Sequence, residues 1–148
     1  MEQPPTCSPT GPAGLVDQAR ALLAEATETL WAAQTPEALV AATHQLEMVR
    51  SQIAALQASL LTEVEERGIA KNQLAWGSTG DWFTHTAGTH PRRGRQTVRQ
   101  APILVRERTA THQALCAGQV SPEQATPPPG TRPNGCCSPR PPGSTPPP

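Results

Sequence analysis

The chain has 148 residues, with twelve basic and twelve acidic side chains, 18 prolines, four cysteines and only 3% aromatic residues. No apolar run approaches the ~20 residues of a membrane span, and the first residues lack the basic and apolar blocks of a secretory signal, so the expectation is a soluble, cytoplasmic protein. The zero net charge hides an asymmetry: Leu15 to Arg67 holds eight acids and three bases, Gly68 to Gln113 two acids and seven bases, so any attraction to DNA must come from the second stretch.

Residues 1–14, MEQPPTCSPTGPAG, contain four prolines and no large aliphatic residue beyond the initiator Met. That is too little apolar surface to offset the entropy of ordering, and disorder is expected. A helix is predicted over 15–33, where Leu15, Ala19, Leu22, Ala26, Leu30 and Ala33 recur at helical spacing. A second helix starts with Thr35 as its cap, Pro36 at its first position and Glu37 in a first turn whose dipole favours a negative charge. It runs to Arg67 and ends at Gly68 as a left-handed residue. Its apolar positions, Leu39, Ala42, Leu46, Val49, Ile53, Leu56 and Leu60, step by three and four. This is a heptad seam on a rod about 48 Å long. The seam needs a cover. An antiparallel hairpin with the 15–33 helix and later helices is the leading expectation; a coiled-coil homodimer is the alternative, because the first helix is too short to cover the whole seam.

After a turn region, KNQLAWG, Ser78 starts another helix with Asp81 three residues on, and at least one of the adjacent Trp82 and Phe83 should face the core. That helix stops at Gly88. Pro91 then begins a helix that Pro102 prevents from continuing cleanly. Arg92, Arg95 and Arg99 fall on one face with Arg93 beside them, while Gly94, Val98 and Ala101 fall on the other. Two short helices around a glycine, the second basic, make a helix-turn-helix outline, and these four arginines are the candidate DNA contacts. Two features count against it: glycine inside a helix costs about 0.8 to 1 kcal/mol relative to alanine, and His90 is a poor cap before the proline. His112 and Cys116 lie one helical turn apart, but no second pair of ligands accompanies them, so packing or exposure is expected and no metal. Ser121, Pro122 and Gln124 form a helix start with a capping box, followed at once by three prolines. Residues 126–148 hold ten prolines and no Val, Ile, Leu, Met, Phe or Trp.

The runs LVAATHQLEMVRSQIAALQASLLTEVEERGIA, GSTGDWFTHTAGTHPRRGRQTVRQA and ALCAGQVSPEQA, in that order, resemble the actinobacterial domain of unknown function 222, the amino-terminal part of the mycobacterial thirteen-E-twelve repeat proteins. The resemblance covers roughly residues 15–125. Full-length members often carry a carboxy-terminal HNH nuclease domain, in which histidines and an asparagine arrange a metal ion and a water. Here His44, His85, His90 and His112 all precede the place where that domain would begin, and no Asn-His pairing exists, so no enzymatic activity is carried over. Gly94 stands where such proteins tend to have alanine, and Pro102 interrupts a helix that usually continues. The segment SPEQA reads as the start of a family helix, and the proline-rich residues after it as a shifted reading frame. A polyproline ligand with PxxP spacing at Pro139 and Pro142 beside Arg140 is the rival reading.

The expectation is therefore a mainly α protein: a disordered 1–14, a truncated helical domain over 15–125 in which a long heptad helix packs with shorter helices including a helix-turn-helix-like unit, and a disordered proline-rich 126–148. It is expected to be non-catalytic, to need no cofactor or metal, to show no membrane or small-molecule partner, and to associate with duplex DNA through residues 79–101. The alternatives are a helical self-association module, paired as a homodimer through the seam, and a remnant that never folds stably.

Overall fold

The computed structural model describes residues 11–125. Among these the chain is mainly α, with seven α-helices and no strand. It divides into two compact units, Met1–Thr43 and His44–Pro148. The expected disorder of 126–148 and of residues 1–10 lies outside the described residues.

In the first unit, helix α1 spans Pro12–Thr27, with Pro12 in its first turn. Residues 12–14 thus belong to a helix, which corrects their assignment to a disordered end; the Gly14 N–H donates to the Gly11 carbonyl at 2.9 Å. The helix also stops earlier than the spacing of Leu30 and Ala33 predicts, and side chains explain why. Thr27 Oγ1 donates to the Ala24 carbonyl at 2.6 Å, and the Trp31 indole Nε1–H donates to the Ala26 carbonyl at 3.0 Å. These donors occupy carbonyls that another helical turn would have used. Trp31–Ala33 then form a short 3₁₀ turn. Helix α2, Pro36–Glu66, begins as predicted, with Thr35 Oγ1 accepting from the Ala38 N–H at 3.2 Å.

The second unit is built on the rest of α2. Its buried face is Ser51, Ala55, Ala58, Leu61 and Thr62. The seam lies elsewhere: Leu39, Leu46, Ile53, Leu56 and Leu60 are exposed and Val49 is half-buried. Small residues allow neighbouring helices to approach the α2 backbone, whereas the bulky seam would hold them away. The two buried hydroxyls cost little, because each donates to its own helix: Ser51 Oγ to the Glu47 carbonyl at 2.9 Å, and Thr62 Oγ1 to the Ala58 carbonyl at 2.8 Å.

Helices α3 (Ile69–Asn72), α4 (Thr79–Thr86), α5 (Pro91–Pro102), α6 (Thr109–Cys116) and α7 (Pro122–Ala125) follow. Gly68 takes the predicted left-handed conformation, φ 58°. Two apolar clusters result. Ala58 and Leu61 meet Phe83, Val98 and Ala101, with Trp82 against them; Ala55 meets Leu115 and Ala125. Leu104 packs against both clusters.

Leu104 reaches that position because the chain passes Pro102 in an altered helical path, in keeping with the expectation that the helix would not continue cleanly there. It widens into a π-helical stretch, Ile103–Glu107, in which the Arg108 N–H donates to the Ile103 carbonyl five residues back at 3.0 Å. Pro102 lacks the N–H that a regular bond to the Val98 carbonyl would use; the next N–H, of Ile103, turns to the Gln100 carbonyl three residues back, and the wider turn begins only beyond it. Surface ion pairs tie the outer segments to α2, Arg106 with Glu66 and Arg50 with Glu123; Glu47 of α2 itself also pairs with Arg50.

Adjacent leucines provide a test of the α2 orientation. Leu61 is 3% exposed and Leu60 53%. In dilute protein Leu61→Ala is expected to lower unfolding free energy by about 2 to 4 kcal/mol, and Leu60→Ala by less than about 1 kcal/mol. Denaturant titration measures both.

Candidate nucleic-acid interface

The basic segment is positioned by a chain of local bonds that begins in α4. Ser78 caps that helix as predicted: its Oγ accepts from the Asp81 N–H at 3.0 Å and donates to Asp81 Oδ2 at 2.8 Å. At the other end Gly88, φ 60°, closes the helix. The Thr89 N–H donates to the Thr84 carbonyl at 3.1 Å and the Gly88 N–H to that of His85 at 3.2 Å, the paired bonds of a Schellman stop. A left-handed residue is required there, so a side chain at 88 would be strained.

Helix α5 starts two residues later. His90 caps it after all, with Nδ1 accepting from the Arg92 N–H at 3.3 Å; this requires the ring proton to sit on Nε2. Nearby, Thr89 Oγ1 is buried without a hydrogen-bond partner among the described residues. Gly94, Val98 and Ala101 form the buried face, as the pattern predicts.

Gly94 has a role that its helix propensity conceals. A Cβ at this position would fall 2.1 Å from Thr84 Oγ1 and 3.0 Å from Thr84 Cα. The missing side chain is what allows α5 to lie against α4. Thr84 Oγ1 is itself directed onto the Gly80 carbonyl, 2.6 Å away.

The four predicted arginines divide into two kinds. Arg95 Nε and Nη2 each lie 2.8 Å from Asp81 Oδ1, so this residue links α5 to the first turn of α4 and is not a free phosphate contact. The Ser78 hydroxyl, followed by the Arg95 guanidinium, holds the Asp81 carboxyl below its ordinary range. Arg92, Arg93 and Arg99 are exposed, and their guanidinium groups have no ion-pair or hydrogen-bond partner among the described residues. Arg93 also lines a groove of about 620 Å³ bounded by α2, α5 and α7, to which Gln57, Gln96, Gln100 and Leu104 contribute. Nothing in the sequence signalled the Arg95–Asp81 pair, which depends on the angle at which α5 returns past α4, or the groove, which depends on how α2, α5 and α7 come together.

His112 and Cys116 are brought together, with Cys116 Sγ 3.9 Å from His112 Nδ1. The other ring nitrogen faces α2, 3.1 Å from Ser59 Oγ and 3.2 Å from the Ala55 carbonyl. His112 therefore fastens α6 to α2. Among the described residues no group of three or more His, Cys, Asp or Glu side chains is arranged to hold a metal ion. Nor is any described helix long and apolar enough to cross a membrane. The predicted capping box of α7 is complete, with the Ser121 N–H donating to Gln124 Oε1 at 2.9 Å and the Gln124 N–H to Ser121 Oγ at 3.3 Å. No family model, curated protein or solved structure matches the chain.

The close approach at Gly94 gives a prediction opposite in sign to helix propensity. Gly94→Ala gains about 1 kcal/mol of propensity, but the enforced shift of Thr84 costs more, so the net change is destabilising by about 1 to 2 kcal/mol. A lowered melting temperature with helical content retained below it is the expected result.

Proposed function

We propose that the α4–α5 unit is a binder of the duplex DNA backbone, in a chain resembling the amino-terminal part of the thirteen-E-twelve proteins, and that it binds without cleaving. The observation that carries this reading is the set of unpartnered guanidinium groups, Arg92, Arg93 and Arg99, on the exposed side of a helix whose opposite side is locked into the core. Arg92 and Arg99 are seven positions apart, about 10 Å along the axis, so the two reach different phosphates. Arginine supplies several donors in a planar fork, suited to phosphate oxygens. Nothing in this arrangement selects bases, and the binding is expected to be insensitive to sequence.

Each neutralised phosphate contributes roughly −0.9 to the slope of log affinity against log salt, so three contacts give about −2.7. Replacing Arg92, Arg93 and Arg99 together with Ala should flatten the slope toward zero and leave the fold intact, because exposed arginines add little stability. Arg95→Ala should retain the slope and loosen the α4–α5 pair instead. Fluorescence anisotropy with duplex DNA at several salt concentrations, with circular dichroism in parallel, measures both effects. A folded protein that does not bind at low salt overturns the reading.

A further inference from the structure

Within the second unit α2 has two unlike faces. Ser51, Ala55, Ala58 and Thr62 are committed to the core. On the opposite side Leu46, Ile53, Leu56 and Leu60 are 45–58% exposed, with half-buried Val49 among them. From Leu46 to Leu60 the steps are three, four, three and four residues. Their mean of 3.5 is the period at which a stripe stays in register with an equivalent helix in a left-handed supercoil.

We infer that this seam docks a second copy of the same chain, the two α2 helices lying side by side. The flanking positions decide in favour of a second copy. Gln45, Gln52 and Ser59 border one edge; Arg50, Gln57 and Val64 border the other. The one charge among them, Arg50, is already held by Glu47 and Glu123 of its own chain. A partner chosen by charge finds nothing to pair with along these edges, whereas a second copy brings the same neutral borders, the same spacing and the same length of apolar stripe. Such a two-fold contact closes on itself and leaves no seam exposed. It uses none of the arginines of α5, so it stands or falls separately from DNA binding.

Sedimentation equilibrium of the full chain without DNA, over a hundredfold concentration range, tests the inference. The mass should rise from 15.7 kDa toward twice that value, with a melting temperature that increases with concentration. A double variant, Ile53→Asp with Leu56→Asp, should remain monomeric and as helical as the parent when dilute. If it unfolds, Leu56→Gln decides: weakened self-association supports the seam, and unchanged self-association overturns it. A parent that stays at 15.7 kDa with a concentration-independent melting temperature also overturns it.

Discussion

Ala55 and Ala58 are 1% and 7% exposed because Leu115 and Ala125 pack over the first, and Phe83, Val98 and Ala101 over the second. The rest of the second unit depends on this approach to the α2 backbone. Were either alanine replaced by a larger side chain, α5 and α6 could not keep their present distance from α2, since a packed core has no room for added methylenes. Leu104 then joins the two clusters, and it arrives there only because the chain widens into a π turn after Pro102. A residue that looks like a helix stop is thus part of how the second half of the core is delivered.

The same economy of side chains governs the basic segment. Gly94 brings α5 against Thr84, Arg95 ties it to Asp81, and Ser78 holds Asp81 in place. With the helix fixed on that side, Arg92, Arg93 and Arg99 remain on the other. The division matters for reading charge: a cation satisfied within the protein contributes to its architecture, and only the unsatisfied ones are available to a phosphate backbone.

Much of this was legible in the sequence where local rules operate. Thr35, Ser78 and Ser121 cap their helices as their positions predict, Gly68 is left-handed, the helix begun at Ser78 closes at Gly88, and Val98 and Ala101 are buried. The failures share a cause, which is that tertiary approach overrides side-chain type. The heptad leucines of α2 are its strongest apolar periodicity, yet its alanines are the buried face, because burial depends on how closely a neighbour can come as well as on apolarity. His90 is a poor cap by residue type, yet its Nδ1 sits within reach of the Arg92 amide. Arg95 shared a face with Arg92 and Arg99 by spacing alone; its partner, fourteen residues earlier, became visible only when the two helices were set against each other. The early end of α1 turned on the Trp31 indole folding back onto Ala26, a bond that no periodicity encodes.

The central claim is that α2 builds the second unit with its small residues and Leu61, and leaves its aliphatic seam outside. Attenuation of side-chain methyl signals by a soluble paramagnetic probe, measured by nuclear magnetic resonance on dilute protein, tests it most directly. The account predicts strong attenuation for Ile53 and Leu56 and little for Leu61 and Leu115, which are 3% and 1% exposed. Ile53 and Leu56 methyls as shielded in dilute protein as those of Leu61 would contradict it.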